Sequence, residues 1–379
     1  MDHLKNSWRR VRLGDLLEEH EERCGIREDL PLLSITKARG MVLAADRFTR
    51  GLHSKDKSRY RIARRDEFVV DPMLLWDGQV ARQKIVEAGL VSPDYRVFRS
   101  RADVDLEFLE FALRSPRMKS HYRAFAKGTN VRRSRIGRAD FDGLPVFVPS
   151  LSEQREIATV LSSIDTAIEK TGASAAQVLV AYRSIREALI VRGIPGRHRR
   201  FRLTVGGEMP AAWAETRLGD ELAEPIRNGH SPVCPDLVTG KWILTLGAVS
   251  PSGFEPTGVK PAPSDYDRVE AASLRSGDVL VSRSNTRERV GLAGVYRSDP
   301  PDCSYPDLLM RVRPSSRLLP EYLEALLLSE RGRRYFMKRA RGTSGSMVKV
   351  NREIVEAFPV ALPSLPEQLE IVEVLSSVN

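Results

Sequence analysis

Two short stretches hold most of what this 379-residue chain could use to grip a ligand. KGTNVRRSRIGR (127–138) carries five basic side chains and RGRRYFMKRAR (331–341) carries six, with no acidic residue in either. Lysine and arginine at that density suit a phosphate backbone, where each contact releases condensed counterions. A net charge of +10 favours polyanionic partners as well. The side chains placed to contact phosphate are Lys127, Arg132, Arg133 and Arg135 in the first half, and Arg339, Arg341, Lys349 and Arg352 in the second. Small neighbours (Gly128, Thr129, Gly342, Thr343, Gly345) allow close approach of the backbone. Reading bases takes bidentate groups, arginine for guanine and asparagine or glutamine for adenine. SRSNTRER (282–289) offers Arg283, Asn285 and Arg287 for this, and ARQK (81–84) offers Arg82, Gln83 and Lys84. For each of these residues a solvated surface charge is the competing reading.

Bond-making chemistry finds little support. SDPPDC (298–303) has the Pro-Pro centre of an amino-methyltransferase motif, but Asp302 stands where an aromatic ring would stack on a flipped base. There is no GxxxxGK[ST] phosphate loop, no pair of histidines at metal-ligand spacing and no recognisable nuclease carboxylate cluster. His198, in GRHRR, reads as linker. Cys24, Cys234 and Cys303 lie far apart, which implies neither a disulfide framework nor a metal site. No apolar run approaches the roughly 20 residues that span a bilayer. The N-terminus lacks a signal-peptide pattern, so a reducing, cytoplasmic setting is expected.

Self-similarity supplies the framework that must position these residues. VFVPSLSEQREIATVLSSID (146–165) returns as VALPSLPEQLEIVEVLSSVN (360–379). At the same offset of 214 residues Gly128–Thr129, Leu109–Glu110, Leu113 and Ser115 fall on Gly342–Thr343, Leu323–Glu324, Leu327 and Ser329. At an offset of 205, Trp8 and RLGD (Arg12–Asp15) fall on Trp213 and RLGD (Arg217–Asp220). Matches in the same order at both ends mark a tandem duplication. Between them, residues 30–105 and 236–315 share only a strand-rich texture, each followed by a helical pattern (Leu106–Arg114 and Pro320–Ser329). Similar frames around different centres suggest two related domains that recognise different things.

In SLSE, Ser150 and Glu153 form a capping-box signature, repeated by Ser364 and Glu367. Apolar residues then recur at spacings of four and three: Ile157, Leu161, Ile164, Ile168, Val178, Tyr182, Ile185 and Leu189, with weak points at Thr171, Gly172 and Ala175. That is a heptad seam on a helix of about 55 Å, which wants an equally long partner. Gly193, Pro195 and Gly196 break it. The expected organisation is a first domain over 1–148, a spacer helix over 149–191, a linker over 192–206, a second domain over 207–362 and the start of a second helix over 363–379. The fold class is α+β, two β-rich domains with packed helices separated by a long coiled-coil spacer.

These residues resemble the specificity (S) subunits of type I restriction–modification enzymes. The resemblance rests on the two PSLxEQ helix starts, the W…RLGD starts, the Gly-Thr loops and GLVSPDYRVFR (89–99), and covers essentially the whole chain. It implies two target-recognition domains, each reading one half of a bipartite site on double-stranded DNA. The helices would set the gap between half-sites and dock two methyltransferase (M) subunits. S-adenosylmethionine would sit in the M subunits, and ATP and Mg in restriction (R) subunits, leaving this chain without cofactor, metal or catalytic residue. The alternatives are a stand-alone methyltransferase or endonuclease with two DNA-binding arms, and an assembly scaffold. The second helix keeps Ile371 and Leu375 and stops at Asn379. The sequence therefore predicts that most of the second conserved helix is missing. It also predicts that the first seam is covered by another chain, through self-association or M subunits.

Overall fold

Why RLGD appears twice is answered by the packing around it. In the computed structural model, Leu13 and Leu218 are fully buried, and each backbone N–H reaches the carbonyl of a residue just before the closing strand, Leu144 and Phe358, at 2.8 and 2.9 Å. A Cβ on Gly14 would lie 2.9 Å from Asp142 Cβ, and one on Gly219 would lie 3.2 Å from Glu356 Cβ. Glycine is needed at both places because a neighbouring short helix (Arg138–Asp142, Arg352–Glu356) comes that close. The structure describes residues 8–25, 29–37, 39–47, 56–101, 103–127, 135–204, 206–263, 271–344 and 347–377.

The chain forms two units, Met1–Gly172 and Ala173–Asn379. In the first, strand Arg9–Arg12 pairs antiparallel with Pro145–Val148. In the second, Ala214–Arg217 pairs with Pro359–Leu362 in the same manner. Each unit thus ties its beginning to the strand that leads into its helix. The divergent centres also share a plan. The first unit has a four-stranded antiparallel sheet in the order Leu17–His20, Arg96–Ser100, Phe68–Val70, Val80–Arg82. The second has the order Leu222–Asn228, Leu309–Pro314, Val279–Ser282, Ala293–Val295, which is the same path through the chain. Both are mixed helix and strand, as expected for the α+β class. Each sheet is followed by two helices that share one serine. Ser115 ends Leu106–Arg114 and its hydroxyl accepts from Met118 N at 3.2 Å. Ser329 ends Pro320–Leu328 and accepts from Gly332 N at 3.1 Å.

The repeated Leu-Glu also has a structural task. Glu110 Oε1 accepts from Arg82 N at 3.2 Å and Glu324 Oε1 from Val295 N at 2.8 Å, so each glutamate satisfies the edge strand of its sheet. Burial pushes the Glu324 carboxyl up, more than the Val295 hydrogen bond lowers it. The folded unit therefore holds this proton more tightly than the unfolded chain, and the group costs stability as pH rises through the ordinary carboxylate range. Glu324→Gln is expected to raise the second unit's melting temperature by roughly 2 °C at pH 8 and to leave it unchanged at pH 4. A loss at pH 8 in thermal scans would refute this.

The spacer helix runs Leu151–Arg192, 42 residues or about 63 Å, and the division between units falls within it. Its seam does not form one continuous face. Ile157 packs on the first unit's core, while Tyr182, Ile185 and Leu189 join Ile371 and Leu375 in the second unit's core. Between these ends every residue from Ser163 to Ala181 is exposed, with Ile164, Ile168 and Val178 at 49%, 64% and 58%. Each end of the helix is claimed by its own domain core, and within this chain Ile164, Ile168 and Val178 of the expected seam are left exposed. Phe201–Thr204, in the stretch expected as linker, pairs antiparallel with Gly207–Pro210 at the start of the expected second domain.

Candidate nucleic-acid interface

The helix starts are locked to their own domains by the same hydrogen bonds in both units. Glu153 N donates to Ser150 Oγ at 3.3 Å, half of the expected capping box. The other half is replaced: Glu153 Oε1 accepts from Trp8 Nε1 at 2.9 Å, and Glu367 Oε2 accepts from Trp213 Nε1 at 3.0 Å. Glu367 also meets His198 Nε2 at 2.6 Å, so that histidine belongs to the second frame rather than to a free linker. The glutamine that follows is buried in both copies. Gln154 accepts from Asp105 N and donates to Pro149 O. Gln368 accepts from Leu319 N and donates to Arg317 O and Pro363 O. Asp105 and Leu319 are again 214 residues apart, so Trp, Glu and Gln lock strand, loop and helix into one frame in each unit.

Each unit also pairs two basic residues across its backbone. Lys127 and Arg135 exchange backbone hydrogen bonds of 3.0 and 2.9 Å. Arg341 and Lys349 are direct cross-strand partners in a sheet of Ser284–Asn285, Met347–Lys349 and Arg341–Ser344. The 214-residue offset carries Lys127 onto Arg341 and Arg135 onto Lys349. Like charges directly across a sheet repel; in the first unit Asp140 answers Lys127, whereas the second unit's pair borders a cavity. In the second unit a cavity of about 740 Å³ is lined by Arg283, Arg341 and Lys349 with Gly342 and Asn351. Arg283 Nη1 donates to Asp307 O at 3.2 Å, which fixes its guanidinium at the cavity. Neither Arg341 nor Lys349 forms an ion pair within 4.0 Å among the described residues.

Other candidates are placed elsewhere. Arg132 and Arg133 lie outside the described residues. Lys127 pairs with Asp140 at 3.0 Å, and Arg135 Nη2 meets Met73 Sδ at 3.4 Å. Arg339 stacks on the Tyr335 ring at 4.0 Å and lines a separate cavity with Arg217, Arg331 and Lys338. Asn285 spends its amide on Thr286 N and Ser282 Oγ, and Arg287 donates to Met337 O.

Burial corrects the expectation for Gln83, and three basic candidates carry ion pairs. Gln83 is fully buried; its carbonyl accepts from Ile85 N and Val86 N, and its amide donates to Val86 O. Arg82 is hydrogen-bonded to Glu107 and near Asp66 and Glu110. Lys84 pairs with Glu107 and Glu110 at 3.0 and 2.9 Å. Burial works to lower the Lys84 ammonium, but Glu110 and Glu107 outweigh it and the net shift is upward. ARQK therefore ends the sheet against the following helix, with Arg82 and Lys84 bonded to its glutamates. Arg352 bonds Glu356 at 2.6 Å, as its counterpart Arg138 bonds Asp142 at 2.7 Å. The like-charged pairs were visible in the sequence as basic residues superposed by the repeat; the carboxylates facing Arg82 and Lys84 were not.

No family model matches the chain. It is 24% identical over 290 residues to the type I restriction enzyme EcoKI specificity subunit of Escherichia coli (strain K12), covering 75% of this chain and 59% of that protein. It is 23% identical over 318 residues to the type I restriction enzyme MjaVIII specificity subunit of Methanocaldococcus jannaschii, covering 82% of this chain and 72% of that one. Among solved structures it matches a chain from work on complex assembly and conformational transition of the type I R-M system. That match has a TM-score of 0.54 and 19% identity, covering 98% of this chain and 90% of the other. This likeness shows a shared fold. Among the described residues no helix is long and apolar enough to cross a membrane.

Proposed function

We propose that this chain, whose homologues are type I restriction enzyme specificity subunits, is the sequence-reading subunit of such a complex. Each unit serves as a target-recognition domain that reads one half of a bipartite site on double-stranded DNA. The domains comprise residues 1–148 and 207–362, and the helix between them sets the distance between half-sites. The observation that carries this reading is the basic cross-strand pair, Lys127 with Arg135 and Arg341 with Lys349, presented at the same position of two like frames. Such pairs contact phosphate and set register without specifying sequence. Specificity then falls to the centres that differ, with Arg283 closest to the second unit's basic cavity.

The bare middle of the spacer helix supports docking of methyltransferase subunits, since an exposed apolar stripe needs a partner. Methyl transfer would belong to those partners, with S-adenosylmethionine, and ATP-driven work to restriction subunits with ATP and Mg; this chain would bind and position. The test is a footprint of the chain in complex with its methyltransferase. Two short protected elements separated by an unread gap are expected, and the isolated chain with DNA, Mg²⁺ and S-adenosylmethionine should neither cleave nor methylate. A single contiguous protected site, or activity of the chain alone, would overturn the reading.

A further inference from the structure

A second basic cavity, of about 810 Å³, lies in the second unit along the helix Glu330–Arg339. Arg217, Arg331, Arg334, Lys338 and Arg339 line it, and the acidic side chains in its wall are Glu215 and Asp220. Arg331, Arg334 and Lys338 follow at spacings of three and four and share one face of the helix, while Gly332 and Phe336 are buried on another. Arg334 and Lys338 stand one turn apart with like charge, a pairing that weakens a helix. Arg331 Nη2 donates to Glu208 O at 2.7 Å, and Arg339 lies 4.0 Å over the Tyr335 ring. Arg334 meets Glu330 at 3.8 Å with both side chains mostly exposed. Arg217, Arg331, Lys338 and Arg339 form no ion pair within 4.0 Å among the described residues.

This patch is not part of the frame that the two units share. The 214-residue offset carries Arg331, Arg334, Lys338 and Arg339 onto Arg117, Ser120, Ala124 and Phe125. Three of those four charges are absent from the first unit, and the fourth, Arg117, lies 4.0 Å over the Phe147 ring. Lys119 and Arg123 on the same first-unit helix match Arg333 and Met337, which stand outside the cavity. The shared frame therefore holds without this charge, and a ligand of the second unit is left to account for it.

The patch adjoins the basic pair of the same unit. Tyr335 lines the cavity, and its hydroxyl donates at 2.8 Å to Ile354 O, in the wall of the cavity that holds Arg283, Arg341 and Lys349. Buried Ala340 alone separates Arg339 in the first wall from Arg341 in the second. Several cations along one helix face suit a partner whose negative charge repeats, as a polynucleotide backbone does. The neighbouring Arg341 and Lys349 favour nucleic acid over an acidic polypeptide, since one backbone can pass both cavities.

We propose that this cavity is a second phosphate-binding surface, through which the second unit holds a longer stretch of duplex backbone than the first. The inference rests on the reading of the chain as a DNA-recognition subunit and adds an asymmetry between the two half-sites.

Ethylation interference on the bipartite duplex, bound by the complex with its methyltransferase, counts the phosphates held at each half-site. One half-site should show more than the other. Arg334→Gln with Lys338→Gln should remove the surplus there and lower the slope of log K against log salt by about 1.8. Both side chains are exposed, so the fold should tolerate the change. Lys338→Gln alone should lower the slope by about 0.9 and serves where the double variant is unstable. Equal phosphate counts at the two half-sites, or an unchanged slope in these variants, would overturn the proposal. Loss of methyltransferase association with the slope intact would assign the surface to a protein partner and overturn it as well. A complex that protects no bipartite site defeats the recognition reading itself, whereas bipartite protection with an unchanged slope defeats only this inference.

Discussion

Replacing Arg341 and Lys349 together by alanine is expected to weaken DNA binding by the assembled complex roughly 30-fold at about 0.15 M salt. It should also reduce the slope of log K against log salt by about 1.8, the loss of two phosphate contacts. The weakening should be nearly the same on cognate and unrelated duplexes, because phosphate contacts carry no sequence information. Both side chains sit on an exposed rim and face each other with like charge. Their removal should therefore cost the fold little. Arg82→Gln is the control. That side chain is engaged by Glu107 and Asp66, so its loss should leave the salt slope unchanged. Fluorescence anisotropy across a salt series measures all three. An unaltered slope in the double variant would refute the assignment of the basic pair, and a changed slope in Arg82→Gln would restore ARQK as a contact.

The second large effect concerns the frame. Gln368→Leu should destabilise the second unit by about 3 kcal/mol, because it removes three hydrogen bonds, the buried one to Pro363 O and the part-buried ones with Leu319 N and Arg317 O. Gln154→Leu removes two such bonds rather than three and should cost the first unit about 2 kcal/mol. Leucine keeps nearly the same volume, so the loss reports hydrogen bonding rather than a cavity. Chemical denaturation followed separately for each unit gives the comparison. Costs below about 1 kcal/mol in both would mean that the glutamines are not what joins helix to loop.

Much of the molecule was legible before any coordinates. The duplication, the helices at Leu106–Arg114 and Pro320–Leu328 and the long spacer helix follow from identity at a constant offset and from apolar spacing, which are local properties. The site was legible only in part. Basic residues stand out in a sequence whether they are free or paired, so Arg341, Lys349, Arg82 and Arg352 read alike. Folding separates them: Glu107 and Glu110 are brought to Arg82 and Lys84 by a helix more than 20 residues away, whereas Arg341 and Lys349 are set opposite each other. Gln83 looked like a reading amide because nothing local reveals that its turn folds inward.

The sequence by itself determined that this protein is one frame used twice; that Trp, Glu and Gln close the frame was decided by the fold, because their hydrogen bonds join residues far apart in the chain. Only the tertiary structure decided that the divergent centres share one four-stranded order. Strand order is carried by backbone pairing, which many side-chain patterns satisfy. It also decided that the apolar seam is divided between two cores, leaving Ile164, Ile168 and Val178 exposed. Heptad spacing marks which residues share a helix face, and what covers that face depends on where the rest of the chain packs.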